Sequence, residues 1–190
     1  INEILPNPNS DSITGTDWDG DGSKSESGDE WIELYNISSL PQNVSGWELS
    51  NNSKTYTIST TPEIVSGGKL VIFGSASGNA IQMGNNGDAL ILKNNIGSEI
   101  DNFTYSSAVV DDNSMGRKTD GTDTDSAGDW TIFNNTIIGG YSTPGESNMP
   151  LISSVAPTSM AYTNQNTYTI SGVATKNRIV RIKDNTGAEF

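Results

Sequence analysis

The stretch "DEWIELYNIS", residues 29–38, decides the fold class of this chain. Within it Ile32 and Leu34 alternate with larger or charged residues, which is the period-two pattern of a β-strand that buries one face. We expect Ile32 and Leu34 to face a core and the opposite face to pack under the acidic loop that precedes the strand. The alternative is a carbohydrate-binding groove lined by Trp31 and Tyr35, because aromatic side chains offer an apolar face to a ligand.

Short apolar runs of the same kind recur along the first 149 residues, separated by turn-rich sequence, and no long segment has helical periodicity. The sequence "NNIG" at 94–97 is expected to form the turn of a hairpin. The spacing of the apolar runs predicts an all-β sandwich or barrel of short antiparallel strands. The predicted strands are 1–5, 30–36, 43–50, 54–59, 69–73, 88–93, 99–105 and 129–133.

The composition excludes several classes of function. Of the 190 residues, 23 are acidic and 10 are lysine or arginine, so the net charge is −13. Such a surface repels phosphate backbones and anionic membranes, and we expect no nucleic-acid partner. No apolar stretch approaches the ~20 residues of a membrane span, so we expect no membrane insertion. Cysteine and histidine are absent, which removes thiol and imidazole nucleophiles and the common zinc sites.

The segment "DWDGDGSKSESGDE", residues 17–30, holds six acidic residues and one lysine. Carboxylates at alternate positions followed by a glycine can surround one Ca²⁺ ion, which takes six to eight oxygen ligands. The residues that match the first, third, fifth, sixth and seventh positions of an EF-hand-type loop are Asp17, Asp19, Asp21, Gly22 and Ser23.

The match departs from an EF-hand at the twelfth position, where Gly28 stands in place of a bidentate glutamate. Glu26, Asp29 or Glu30 could complete the coordination from another direction. The alternative is a solvated acidic loop that needs no ion. The calcium site predicted from the sequence consists of Asp17, Asp19, Asp21, Ser23, Asp29 and Glu30.

A second group of acidic residues lacks the regular spacing of a metal loop, and we expect it to form solvated turns and strand caps. Arg117 lies within this part of a chain that has few cations. We expect it to be a structural ion-pair partner that holds the neighbouring loop onto the sandwich, with a ligand-binding arginine as the alternative. The acidic residues of the group are Asp111, Asp112, Asp120, Asp123, Asp125 and Asp129.

Paired carboxylates are the remaining route to catalysis, and Glu3, Glu30 and Glu33 are the candidates. Glu30 and Glu33 are expected to point to opposite faces of one strand. No general acid in an apolar cleft is visible in the sequence, so we expect no enzymatic activity.

Eight segments of the first 149 residues carry a resemblance to the lamin tail domain family, in the order expected for that family. The "DWDGDG" stretch falls where microbial extracellular members carry an Asp/Gly-rich insert, just before the "EWIEL" strand. The segments are "INEIL" at 1–5, "DEWIELYNIS" at 29–38, "NVSGWELSN" at 43–51, "SGGKLVIFG" at 66–74, "GNNGDALILKN" at 84–94, "IDNFTYS" at 100–106, "SMGRKTDGTDTDSAGDW" at 114–130 and "STPGESN" at 142–148.

The resemblance implies an immunoglobulin-like β-sandwich over residues 1–149 and an extracellular or cell-surface location. It implies no activity, because the family supplies accessory modules to surface proteins, secreted nucleases and other hydrolases.

The remaining residues, 150–190, resemble the start of a bacterial immunoglobulin-like repeat. The linker-like sequence "TPGESNMP" precedes them, and "YTISGVAT" and "RIVRIKDNTGAEF" match the second and third strands of such a repeat. We therefore expect a partial second β domain. Because three strands cannot cover a core, we expect either that the natural chain continues past Phe190 or that a neighbouring subunit adds strands, as in surface filaments.

The sequence as a whole predicts a non-catalytic, calcium-stabilised extracellular module of a surface protein, adhesin or filament, with other domains or subunits as its partners. The alternative is an accessory domain of a secreted nuclease or other hydrolase. A carbohydrate-binding module would need an exposed aromatic platform.

Overall fold

The protein is built from antiparallel β-strands. The computed structural model describes residues 1–59, 63–78, 80–107, 109–133 and 142–148, and that part contains no α-helix. The all-β prediction is therefore confirmed. No helix in the described part is long and apolar enough to cross a membrane.

Eleven strands and one short 3₁₀ helix follow one another along the described chain. The helix, Ala127–Asp129, lies immediately before the last strand. The strands are β1 (Glu3–Leu5), β2 (Trp31–Tyr35), β3 (Gln42–Asn43), β4 (Glu48–Ser50), β5 (Thr55–Thr57), β6 (Glu63–Ile64), β7 (Lys69–Phe73), β8 (Asp88–Lys93), β9 (Glu99–Tyr105), β10 (Ser114–Arg117) and β11 (Trp130–Phe133).

The strands form two main sheets. The first sheet has the order β11-β10-β1-β2-β7, and the second has the order β5-β4-β8-β9. Strands β3 and β6 form a separate two-stranded sheet. All neighbouring strands are antiparallel, as expected for an immunoglobulin-like sandwich.

The core lies between the two main sheets. Alternate residues of each strand point into it, because side chains alternate across a pleated sheet. The first sheet contributes Ile4, Ile32, Leu34, Ile72 and Met115, and the second contributes Leu49, Leu90, Leu92 and Tyr105. Ile32 and Leu34 thus occupy the positions predicted from their alternation.

The outer face of the first sheet is also buried, which is unusual for an antiparallel sheet. Glu3, Trp31 and Glu33 point to this face and are fully buried. The acidic loop covers one end of the face, and residues 142–148 cover the other. The segment 142–148 approaches so closely that a Cβ on Gly116 would lie 2.8 Å from the side-chain nitrogen of Asn148.

The strand predicted at 43–50 is two strands in the structure. The chain turns at Gly46, whose φ is +76°, and Gly46 N–H donates to the carbonyl of Ile58. Glycine adopts this left-handed conformation without the steric cost that other residues bear. The turn takes the chain from β3, in the two-stranded sheet, to β4 in the second main sheet.

Strands β6 and β10 were not predicted. Strand β10 carries two small residues on the outer face, Ser114, which bonds Glu3, and Gly116, which Asn148 approaches closely, so it lacks the apolar alternation of the other strands. Its neighbours are β1 and β11. The hairpin turn predicted at 94–97 is confirmed, because it joins β8 to β9 with Gly97 at a φ of +82°.

The chain divides into two units, Ile1–Asn148 and Met149–Phe190. The predicted second immunoglobulin-like segment, 150–190, lies outside the described residues, and its strands stay a prediction.

Candidate functional site

Three alternating aspartates come together in the loop before β2. One carboxylate oxygen from each of Asp17, Asp19 and Asp21 lies within 4.8 Å of the others. Gly20 lies between Asp19 and Asp21, and Gly22 follows Asp21. Their φ values of +74° and +90° let the chain fold back at both positions. The spacing seen in the sequence therefore places these three carboxylates around one point.

Backbone N–H groups hold the three carboxylates in place. The Asp17 side chain accepts hydrogen bonds from the N–H groups of Gly20, at 2.8 Å, and Gly22, at 2.9 Å. Asp19 accepts one from Asp21 N–H at 3.0 Å, and Asp21 accepts one from Ser23 N–H at 2.7 Å. The loop is thus pre-shaped by its own backbone.

Asp29 closes the loop from beneath. Its carboxylate is buried, with 1% exposure, and accepts hydrogen bonds from Trp18 N–H at 2.6 Å and Asp19 N–H at 3.1 Å. It also accepts one from Ser25 N–H at 2.7 Å. Asp29 therefore joins the two ends of the acidic loop, and it lies outside the group formed by the three alternating aspartates.

Glu30 turns away from this group. Its carboxylate accepts a hydrogen bond from Met83 N–H at 2.9 Å, and burial raises the pKa of Glu30 to about 8. Of the six residues predicted from the sequence, the structure groups Asp17, Asp19 and Asp21; the side chains of Asp29 and Glu30 lie outside that group.

The loop covers the aromatic residue at the start of β2. Trp18 packs on Trp31 with ring centroids 6.2 Å apart, and Trp31 is fully buried. Trp18 is held in turn by a hydrogen bond of 2.9 Å from its indole N–H to Asp112. Trp31 and Tyr35 therefore do not form an exposed sugar-binding platform, and the expected packing of this face under the acidic loop is confirmed.

A buried polar network lies on the same outer face, next to the loop. Lys69 Nζ donates to Glu33 Oε1 at 2.9 Å and to Asp120 Oδ1 at 2.8 Å. The Asn148 side chain lies beside them, with its Oδ1 3.5 Å from Lys69 Nζ. Burial raises the pKa of Glu33, and the charge of Lys69 opposes this shift.

Sequence reasoning missed Lys69 as the partner of Glu33 and Asn148 as the residue beside Lys69. Lys69 lies opposite Tyr35 in the register of β2 and β7, so it is the diagonal neighbour of Glu33 on one face. That register joins strands more than 30 residues apart and cannot be read from local sequence. The "TPGESN" segment that brings Asn148 to the sheet is visible in the sequence, but its destination is not.

The second group of acidic residues is dispersed, but the expected solvated turns are wrong for two of them, because Asp112 is buried and Asp120 is half-buried. Asp112 accepts a hydrogen bond from the indole N–H of the loop residue Trp18, and Asp120 accepts one from Lys69. Asp123 pairs with Arg117 at 2.8 Å. No metal-binding group is found among these residues in the described part of the chain.

Arg117 is a structural ion-pair partner, as predicted. It is 3% exposed and lies over the Trp130 ring, 4.9 Å from its centroid. Its guanidinium donates to the carbonyl of Thr122 and to Asp123, and so anchors the loop that follows β10.

The three glutamates considered for catalysis do not converge. Glu3 lies directly opposite Glu33, but its oxygens accept hydrogen bonds from Ser114 and Thr143. Glu30 points away from both, towards Met83. The expected placement of Glu30 and Glu33 on opposite faces is confirmed.

No curated protein and no solved structure matches the chain. Residues 1–107 match the family model described as Lamin Tail Domain. The matched residues include the β2 stretch that decides the fold and the acidic loop that precedes it. The chain therefore belongs to the lamin tail domain family, a family of immunoglobulin-like structural domains.

Proposed function

We propose that this chain is a non-catalytic structural and interaction module that acts outside the cell or at the cell surface, and that its acidic loop binds Ca²⁺. The observation that carries the proposal is the grouping of three carboxylate oxygens from Asp17, Asp19 and Asp21 within 4.8 Å.

Electrostatics support an ion at this point. Unit charges about 4 Å apart repel by roughly 1 kcal/mol in water and by several times more near a protein surface. Lys24, the lysine of the loop, donates instead to the carbonyl of Ser12 at 3.0 Å. A divalent cation would convert the mutual repulsion of the three aspartates into attraction to a shared ion.

The donor set favours calcium over other metals. All the grouped ligands are carboxylate oxygens, which hard cations prefer, and nitrogen and sulfur ligands are absent from the loop. Backbone carbonyls of the loop, such as that of Ser23, and water could supply the remaining oxygens of a Ca²⁺ coordination sphere. Asp29 would act by holding the loop closed.

The expected affinity supports an extracellular location. Calcium sites of extracellular modules have dissociation constants of roughly 0.1–1 mM, so they are occupied only where calcium is abundant. A loop that is exposed at Asp21 and has few grouped carboxylates belongs to this weaker class.

The absence of a catalytic arrangement in the described residues supports a non-catalytic role. A cavity of about 440 Å³ is lined by apolar and uncharged polar side chains together with Asp101, Arg117 and Asp123. The three charged groups pair with one another, so none is left to act as an acid or base.

The proposed partners are other domains or neighbouring subunits of an adhesin or extracellular filament. Addition of strands from a neighbouring subunit to residues 150–190 is part of this proposal, and those residues lie outside the described chain. The alternative is an accessory domain of a secreted nuclease or other hydrolase. The domains encoded by the full-length gene would distinguish these two proposals. Further β-repeats would favour the adhesin or filament, and a catalytic domain would favour the accessory domain.

Titration calorimetry of Ca²⁺ into the full chain tests the calcium proposal. We expect one site for the wild type and at least a tenfold weaker site for Asp19→Asn. Asp125→Asn removes the same charge from an exposed turn away from the loop and should bind as the wild type does. No binding heat at millimolar Ca²⁺, or equal affinity for both variants, would refute the site.

A further inference from the structure

The outer face of the first sheet brings an amine, a carboxyl group and a carboxamide together. Lys69 Nζ lies 2.9 Å from Glu33 Oε1 and 3.5 Å from Asn148 Oδ1. Glu33 is fully buried, Asn148 is 2% exposed, and the Lys69 side chain is 10% exposed. A nucleophile, a proton acceptor and an electrophile are thus held side by side away from water.

We propose that these three residues form an intramolecular cross-link, in which Lys69 Nζ becomes bonded to Asn148 Cγ as an amide and ammonia is released. Glu33 is the group that moves the protons.

The nucleophile in this reaction is the neutral amine of Lys69. Glu33 Oε1 is within proton-transfer distance of Lys69 Nζ. The carboxyl groups of Glu33 and Asp120 share this one ammonium, and Glu3 lies opposite Glu33 in the sheet, so protonation of Glu33 relieves repulsion between the carboxyl groups. Burial also raises the pKa of Glu33, which favours its neutral acid form.

The electrophile is held rigidly. Asn148 Nδ2 donates to the carbonyls of Arg117 at 3.0 Å and Asn2 at 3.3 Å. The Thr143 hydroxyl lies 3.1 Å from Asn148 Oδ1 and also contacts Glu3 Oε2, so its one proton can turn to either oxygen. That hydroxyl can stabilise the negative charge that develops on Oδ1 when the amine attacks, and fixed proximity of the reacting groups replaces a costly encounter.

The reaction balances without any co-reactant. The Nζ–Cγ bond forms and the Cγ–Nδ2 bond of Asn148 breaks. Glu33 accepts a proton from Lys69 Nζ and a proton is returned to the leaving nitrogen, which departs as ammonia. Glu33 ends as it began, and no atom is oxidised or reduced.

Asp120 is the rival electrophile, since its Oδ1 lies 2.8 Å from Lys69 Nζ. Although burial opposes it, hydrogen bonds from Lys69, Asn2 and other groups lower the pKa of Asp120. An ionised carboxylate resists attack by an amine, whereas the amide of Asn148 is neutral. The geometry therefore favours Asn148, with loss of ammonia instead of water.

The cross-link would tie β7 to a residue 79 positions later. It would pin the segment 142–148 across the buried face that it covers, so that force or denaturant could not strip that segment from the sheet. Such a bond suits a module that bears load outside the cell.

The intact mass of the folded full chain tests this. We expect a mass below that of the sequence by one ammonia molecule, and a fragment in which Lys69 is joined to Asn148. Lys69→Arg and Glu33→Gln should each have the full sequence mass. Lys118→Arg, a change at an exposed lysine outside the network, should still show the loss.

Three results would overturn the proposal. One is the full sequence mass in a wild-type chain shown to be folded by circular dichroism. Another is loss of water in place of ammonia, which would assign the bond to Asp120. The last is an ammonia loss that persists in Lys69→Arg, which would indicate cyclisation at an asparagine such as Asn86. If Glu33→Gln fails to fold, the wild-type mass and the linked fragment still decide whether the bond between Lys69 and Asn148 forms.

Discussion

Glu3 of β1 lies directly opposite Glu33 of β2, and both side chains are fully buried on the outer face of the first sheet. Like charges placed opposite each other destabilise a sheet. Each carboxyl group is instead surrounded by donors, because the segment 142–148 supplies Thr143 N–H to Glu3 and Gly145 N–H to Glu33. The sheet and this segment therefore depend on each other.

Stability should fall as pH rises from about 5 to 7. Burial raises the pKa of Glu3 from 4.5 to about 7, against the hydrogen bonds that favour its ionised form. Between these values the folded chain binds more protons than the unfolded chain, so the free energy of unfolding decreases by up to about 1.4 kcal/mol per pH unit for this group. Urea titrations at several pH values measure the slope.

The matched variant is Glu3→Gln, which keeps a similar shape and cannot titrate. Its stability should depend less steeply on pH over the same window. Glu33 and Glu30, whose pKa values burial also raises, should leave part of the slope in place. A wild-type stability that increases from pH 5 to 7, or an unchanged slope in Glu3→Gln, would contradict this prediction.

Asp29→Ala should destabilise the protein by roughly 3 kcal/mol even without calcium. The buried carboxylate accepts three backbone N–H groups, those of Trp18, Asp19 and Ser25, and its loss leaves them without their acceptor. Asp21→Ala, at an exposed position that accepts one N–H group, should cost less than about 1 kcal/mol in chelator. Equal costs for the two variants would argue against the closing role of Asp29.

The sequence predicted most of the strands because their apolar patterns are local. β2 carries Ile32 and Leu34 with a period of two, β8 carries the short apolar run "ALIL" bounded by turn residues, and both lie where expected. β10 was missed because its Ser114 and Gly116 are small, and both lie against Glu3, which is more than 100 residues away in sequence. That packing comes from tertiary structure and leaves no periodic signal.

The candidate site divides in the same way. The grouping of Asp17, Asp19 and Asp21 follows from their spacing within one short loop. The roles of Asp29, Lys69 and Asn148 depend on contacts across the fold, and Asn148 meets Lys69 from 79 residues away. Such contacts require the strand register, which the sequence does not contain in readable form.

Arg117→Lys should destabilise the domain by roughly 2–4 kcal/mol. The guanidinium binds the carbonyls of Ile1 and Thr122 and the carboxylate of Asp123 at once, and a lysine ammonium cannot reproduce that planar fork. Limited proteolysis should cut the loop at 118–126 faster in this variant. Lys118→Ala, next to it but exposed, should be cut at the wild-type rate, and a similar acceleration there would point to a general loosening.

A chain of residues 1–149 should fold with a cooperative thermal transition, whereas residues 1–141 should not. The shorter chain lacks Thr143 and Asn148, which are buried, and it leaves Glu3 and Glu33 without several donors. Circular dichroism melts of both chains measure the difference. Two equally cooperative melts would show that the segment 142–148 is dispensable, and an aggregated 1–149 chain would show that the domain boundary lies later.

Calcium should raise the thermal stability of the full chain. With a dissociation constant of roughly 0.1 mM, about 2 mM Ca²⁺ stabilises a folded protein by about 2 kcal/mol. Melts in calcium and in chelator should therefore differ by several degrees for the wild type. The difference should vanish in Asp19→Ala, because that change removes one of three carboxylates that lie within 4.8 Å of one another, and it should persist in Asp111→Ala, which lies outside that group. A wild-type melting temperature that is the same in calcium and in chelator would rule out the proposed stabilisation.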